Sequence, residues 1–192
     1  MVSERTLMAR AADAVAAEAE ALLAHGVGRI RGARVVVLAG SGNNGGDAML
    51  AGARLHYRGA EVTVLLVAST AHPDGLGEAQ AAGAAVVDGA AADARVAVER
   101  ADLVIDGIVG IGGRAGLREP AASLVAGVAS HTPILAVDVP SGVDVDSGQV
   151  GDTHVRADVT VTFTSLKPCL IEEPAAASAG RVVIADVGVP RR

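Results

Sequence analysis

Apolar and polar positions follow two rhythms along this chain, and the switches between them divide it into short elements. Across residues 6–24, Leu7, Ala11, Val15, Leu22 and Leu23 recur near helical spacing with Glu18 and Glu20 interspersed. That spacing predicts a helix ending at His25-Gly26. Behind Gly32, the β-branched run over residues 35–39 predicts a buried strand. A glycine-rich turn follows, then a helical pattern over 48–58 stopped by Gly59, then a second strand over 62–67. Strand, turn, helix and strand in this order form a βαβ unit, which generates parallel pairing.

The alternation continues with a helix over 77–82, a weak strand over 85–87 and a helix over 91–100. A strand over 103–105 ends at Asp106, and a helix over 121–129 leads to a strand over 134–137 ending at Asp138. Residues 159–163 and 181–185 read as further strands. No linker or repeat interrupts the series, so residues 1–192 are expected to form one domain. The predicted class is α/β: a single-domain three-layer α/β/α sandwich, Rossmann-like, with a mostly parallel sheet. Ligands of such folds sit beyond the carboxyl ends of the strands. Gly40 onward, Asp106 and Asp138 occupy three such ends.

Composition narrows the function. Apolar residues make up 51% of the chain, with one Phe, one Tyr and no Trp, so the core must be Ala, Val, Leu and Ile. Small side chains suit helices packed on a strand layer buried on both faces. They do not supply the aromatic platforms that stack single-stranded bases. A net charge of −6 without a basic cluster also argues against nucleic acid. A local anion site made of backbone N–H groups needs no net positive charge and stays open. Cys169 is the sole cysteine, which excludes an intrachain disulfide and fits a reducing compartment. Neither a secretory h-region nor an apolar run of about 18 residues is present, so no membrane role and a cytoplasmic address are expected.

Three constellations carry candidate chemistry. Gly40, Gly42 and Gly45 satisfy G-x-G-x-x-G between a strand and a helix, where free N–H groups point at a ligand. Asn43 and Asn44 add amides to the same turn, and Asp47 is expected in the first helical turn, where the dipole favours a carboxylate. No acidic residue follows the second strand at 67–70, which weakens an ordinary NAD(P)-dependent oxidoreductase. Asp106 precedes a glycine-rich loop, and Asp138-Val139-Pro140-Ser141-Gly142 presents Asp138 and Ser141 on stiff backbone. A carboxylate there can shuttle a proton if burial tunes its pKa. Lys167 is a fourth candidate contributor that could sit near a phosphate or carboxylate, although a solvated surface position is the stronger expectation, and His25, His56, His72, His131 and His154 show no metal-ligand spacing and read as surface residues.

Taken together, Gly40 to Asp47, Asp106 to Gly112, Asp138 to Gly142, and Ala157 to Phe163 with Lys167-Pro168 resemble the NAD(P)H-hydrate epimerase family, the YjeF N-terminal domain. Leu7-Met8 and Asp186-Val187-Gly188-Val189-Pro190 also look like family segments. The resemblance implies epimerisation of the R and S forms of hydrated NADH and NADPH (NADHX and NADPHX) at C6 of the nicotinamide ring. That step feeds an S-specific, ADP- or ATP-dependent NAD(P)H-hydrate dehydratase, the implied functional partner, and homodimerisation is left open. By the same resemblance Asn43, Asn44, Gly45, Gly46 and Asp47 line the substrate, and Gly110, Ile111, Gly112, Gly113, Arg114, Ala115 and Gly116 form the loop around its phosphates. Asp138 is implied as both substrate contact and acid/base group, with a potassium ion held by Asn44, Asp106 and Ser141.

The chain departs from the family pattern at several places. Ala48 replaces the last Gly of the turn, where a methyl is expected to crowd the helix start, and Gly107 replaces an Ala. Ile111 replaces the Thr of G-T-G, and an upstream helix is expected to be missing. Ala48, Ile111 and the missing helix support one alternative, a non-catalytic binding or scaffold module of the same fold.

Overall fold

The computed structural model describes residues 3–110 and 112–188. Ile111 in the loop, and Val189 and Pro190 at the end, lie outside the described residues. Helix α1 (Glu4–Gly26) starts at Ser3, whose hydroxyl accepts from the Thr6 N–H at 3.2 Å. Its inner face is Met8, Ala11, Ala12, Val15, Ala16, Ala19 and Leu23, the i, i+3, i+4 set that an amphipathic helix buries.

Among the described residues seven strands follow: β1 (Arg34–Ala39), β2 (Glu61–Leu66), β3 (Ala85–Asp88), β4 (Leu103–Gly107), β5 (Ile134–Val137), β6 (Val159–Phe163) and β7 (Arg181–Ala185). They form one sheet in the order β3-β2-β1-β4-β5-β6-β7, and every pairing is parallel. Helices α2 (Asn43–Tyr57) and α3 (Pro73–Ala82) share one face with α1, while α4 (Ala92–Glu99) and α5 (Ala121–Ala126) cover the other. The connections leave β1 and β4 in opposite directions, so a crevice opens at their carboxyl ends. Leu38, Leu55, Leu65 and Leu103 are fully buried on the two sides. Each contributes about 1.5–3 kcal/mol relative to exposure.

Three boundaries differ from the predicted ones by three residues or more. Helix α2 begins at Asn43, five residues before 48, with Gly42 as its N-cap. Glycine disfavours helix locally, but tertiary packing overrides that here. A Cβ on Gly45 would sit 2.2 Å from the Gly40 carbonyl oxygen, and one on Gly46 would sit 2.7 Å from Met8 Cε. Asp47 is therefore the fifth residue of the helix, past the first turn expected for it, and buried. Helix α3 starts at Pro73 rather than 77, with Pro in its first turn and the His72 side chain accepting from the Gly75 N–H. Helix α5 stops at Ala126 instead of 129.

Candidate functional site

The β1 end reaches the crevice as Gly40, whose α-carbon faces the Ile108 carbonyl so closely that any side chain is barred. Backbone contact of this kind welds the glycine turn to the loop after β4. Asn44, in the first turn of α2, donates from Nδ2 to the Val137 carbonyl at 2.7 Å and so ties that helix to the end of β5. The Asn44 amide also lies against Gly110, where a Cβ would come within 2.6 Å of Oδ1.

Asp106 closes the same junction from β4. Its carboxylate is fully buried and accepts from Ser141 Oγ at 2.7 Å, the Ser141 N–H at 2.8 Å and the Ile108 N–H at 3.2 Å. Burial pushes its pKa up to about 6, and the hydrogen bonds from Ser141 and Ile108 hold it from rising further. Ser141 in turn accepts from the Val109 N–H at 3.0 Å. Asp106 and Ser141 are thus joined directly, and Asn44 reaches the same strand ends through Val137 and Gly110. Asp106 has no basic partner among the described residues. A buried carboxylate beside amide and hydroxyl oxygens is a donor set that suits a hard cation.

Asp138 follows directly on β5. Its φ of +69° places it in the left-handed region, which costs a non-glycine residue on the order of 1–3 kcal/mol. Thr164 is the other non-glycine residue with positive φ among those described, and both line one cavity. The Asp138 carboxylate accepts from Thr162 Oγ1 at 2.9 Å and Lys167 Nζ at 2.5 Å. Lys167 also donates to Thr162 Oγ1 at 2.7 Å and the Phe163 carbonyl at 3.1 Å.

Lys167 is thus not the solvated lysine expected, because its side chain is only 13% exposed and spent on a buried ion pair. The sequence offered its place beside a carboxylate only as the weaker of two readings. The available signal was Thr162 and Lys167 falling in the motif that closes the family pattern. The histidines need a similar correction. His56, His72 and His154 are half-buried, and His72 and His154 make hydrogen bonds within the fold.

The cavity around Asp138 has a volume of about 540 Å³ and is walled by Leu7, Met8 and Ala11 of α1, Asn43, Asn44 and Asp47 of α2, and the Phe163–Lys167 segment. Through Asn43 and Asn44 it adjoins a second hollow of about 460 Å³, lined by Gly42, Gly45, Val109, Gly110 and Gly112. Gly112, Gly113, Arg114 and Gly116 line a third hollow beside it, toward α5. Two residues of the expected substrate set fall elsewhere. Gly46 is packed between Met8 and His72, and Ala115 lines none of these hollows. A larger hollow of about 610 Å³ lies between α4 and α5, but its wall has no buried titratable group. Size does not select the site here; chemistry does.

Asp47 completes the cavity. It is 6% exposed, and its Oδ1 has no hydrogen-bond partner among the described residues. Burial first, and the Asp138 charge second, push its pKa up to about 7, with Arg54 opposing them.

Comparison with known proteins gives the following likenesses. The family described as YjeF-related protein N-terminus matches residues 4–169. The bifunctional NAD(P)H-hydrate repair enzyme Nnr of Mycobacterium tuberculosis is 42% identical over 185 residues, which cover 95% of this chain and 37% of that enzyme. The chain therefore spans little more than a third of such bifunctional relatives. The NAD(P)H-hydrate epimerase of Limosilactobacillus fermentum is 39% identical over 154 residues, covering 80% of this chain and 74% of that one. Among solved structures, yeast YNL200c superposes with a TM-score of 0.77 at 23% identity over 100% of this chain and 86% of the yeast chain, a likeness of fold.

Proposed function

Because the chain belongs to the YjeF-related N-terminal family, we propose that it interconverts the R and S forms of hydrated NADH and NADPH at C6 of the nicotinamide ring. The observation that carries this reading is the buried Asp138–Lys167 pair in a cavity that adjoins a glycine-lined hollow through Asn43 and Asn44. The first compartment suits a hydrated pyridine ring, whose hydroxyl needs a proton acceptor. The second suits the pyrophosphate, over the N–H groups of the α2 start and the Gly110 loop.

In this reading Asp138 is the acid/base group that exchanges a proton with the C6 hydroxyl. Lys167 and Thr162 fix its orientation. The left-handed backbone at Asp138 presents the carboxylate into the cavity from the end of a rigid strand. Potassium, if bound, would be held by Asn44, Asp106 and Ser141, and would supply a charge that balances the buried Asp106. Its effect would be to organise the loops after β4 and β5, since Asp106 and Ser141 already link them.

The product would pass to an S-specific dehydratase, in keeping with relatives named as bifunctional repair enzymes. No helix of the described residues is long and apolar enough to cross a membrane. A cytoplasmic setting, where reduced nicotinamide cofactors turn over, fits this role, and a homodimer is compatible with it.

The test is chromatographic. Purified protein incubated with pure R epimer should generate S epimer, and Asp138→Asn should abolish that conversion while leaving ligand binding. No rate above buffer for the wild-type protein, with binding retained, would favour the scaffold reading instead.

A further inference from the structure

Two carboxyl groups face the Asp138 cavity from opposite elements, and their surroundings are unlike. Asp138, at the end of β5, is met by Lys167 Nζ and Thr162 Oγ1. Asp47, on α2, is equally buried, yet its Oδ1 meets no donor among the described residues. An ionised carboxylate so placed would leave that oxygen without a hydrogen bond to offset its lost hydration. A protonated carboxyl in the same place carries no such charge and can donate its own hydrogen bond to a ligand.

We propose that Asp47 is a second catalytic residue, the proton donor that works opposite Asp138 across one cavity. The inference rests on the epimerase reading above and adds a group to its mechanism. Paired titratable groups whose environments drive their protonation apart are the usual means of placing an acid beside a base. The charges around Asp47 are those of Asp138, Lys167 and Glu4 on the cavity wall and Arg54 on its own helix, with His72 packed one residue away at Gly46. Asp138 favours the protonated form, Arg54 opposes it, and burial outweighs both.

The step balances without an oxidant or a co-reactant. Asp138 takes the proton of the C6 hydroxyl, and the O–H pair becomes the second bond of a C6 carbonyl. The C6–N1 bond breaks with its electron pair going to N1, which takes the proton held by Asp47. The ring is then an open-chain aldehyde attached through an enamine nitrogen. Rotation about C5–C6 offers the other carbonyl face to N1. Closure runs the same transfers in reverse, so Asp138 returns its proton to the oxygen and N1 returns the other to Asp47. Both carboxyl groups end as they began, and only the configuration at C6 has changed.

The test is the epimerisation rate of wild-type protein, Asp47→Asn and Asp47→Glu, as kcat and KM across the neutral pH range, with thermal unfolding of each. Asp47→Asn is expected to lower kcat about 100- to 1,000-fold, the scale of general acid catalysis, with little change in KM. Asp47→Glu should recover part of that loss. Wild-type kcat should fall as pH rises past about 7, and this limb should vanish in Asp47→Asn. An Asp47→Asn protein that keeps wild-type kcat, or changes KM alone, overturns the role of Asp47 and leaves the epimerase reading standing. A wild-type protein without epimerase activity overturns both. If Asp47→Asn does not fold, the wild-type profile decides, and a rate that stays flat above neutrality overturns the proposal.

Discussion

A Cβ on Gly107 would lie 2.4 Å from the Cβ of Ala48, so the two positions share room for one methyl group. The family pattern that this chain resembles carries the reverse arrangement, Gly at the helix and Ala at the strand end. The two departures are therefore one reciprocal exchange across the α2–β4 contact. Ala48 does not crowd the helix start, because the space it fills is the space left at Gly107. The helix start that depends on this fit carries Asn44, whose carbonyl would be 2.8 Å from the same added Cβ.

Gly107→Ala is expected to destabilise the protein by about 1–3 kcal/mol, the usual scale of overpacking a filled core. Ala48→Gly alone should cost about 0.5–1 kcal/mol through helix propensity. The double variant should recover part of the Gly107→Ala loss, because the Asn44 carbonyl still meets the added methyl, giving a coupling within about 0.5–3 kcal/mol for touching residues. Urea unfolding of the four proteins measures it, and additive losses would contradict the exchange.

Removing Lys167 leaves the Asp138 carboxylate buried without its cation. Breaking a buried pair from one side costs about 3–5 kcal/mol. Lys167→Met should therefore lower the unfolding midpoint sharply and depress epimerisation with it. Asp138→Asn/Lys167→Met, which removes both charges, should unfold later than Lys167→Met alone. Thermal scans of both settle the order.

Stability should fall as pH rises between about 4 and about 7. The carboxyl pKa is raised on folding to about 7 at Asp47 and about 6 at Asp106. The native state therefore holds more protons than the unfolded chain in that window, and stability is lost as those protons leave. The contribution is fully present below the unfolded pKa near 4. Denaturant titrations at several pH values should show this slope, and Asp47→Asn should flatten its upper part.

Potassium chloride should raise the unfolding temperature relative to equal ionic strength of a choline salt, because a ligand of the folded state stabilises it by mass action. Asp106→Asn or Ser141→Ala should erase the difference. Equal shifts for both salts would remove the cation from the Asn44, Asp106 and Ser141 cluster.

Strand order in sequence, the three strand ends and the α/β class were legible from the chain because they depend on local periodicity and on glycines beside β-branched runs. Val35–Ala39, Leu103–Asp106 and Ile134–Val137 each announce a buried strand followed by a turn, whatever they pack against. The motif residues Asn44, Asp106, Ser141 and Asp138 were visible on the same terms. The start of α2 was not, since Asn43–Gly45 reads as a loop until Gly40, Met8 and His72 press against this segment. Nor were the roles of Lys167 and Asp47. Burial of Lys167 against Asp138 joins residues 29 apart in sequence, and the orphaned oxygen of Asp47 exists only because α1, β5 and the segment after β6 close over it. Periodicity along the chain determines which residues face inward; only the packed structure decides which charged group finds a partner there, because desolvation and pairing depend on neighbours far away in sequence.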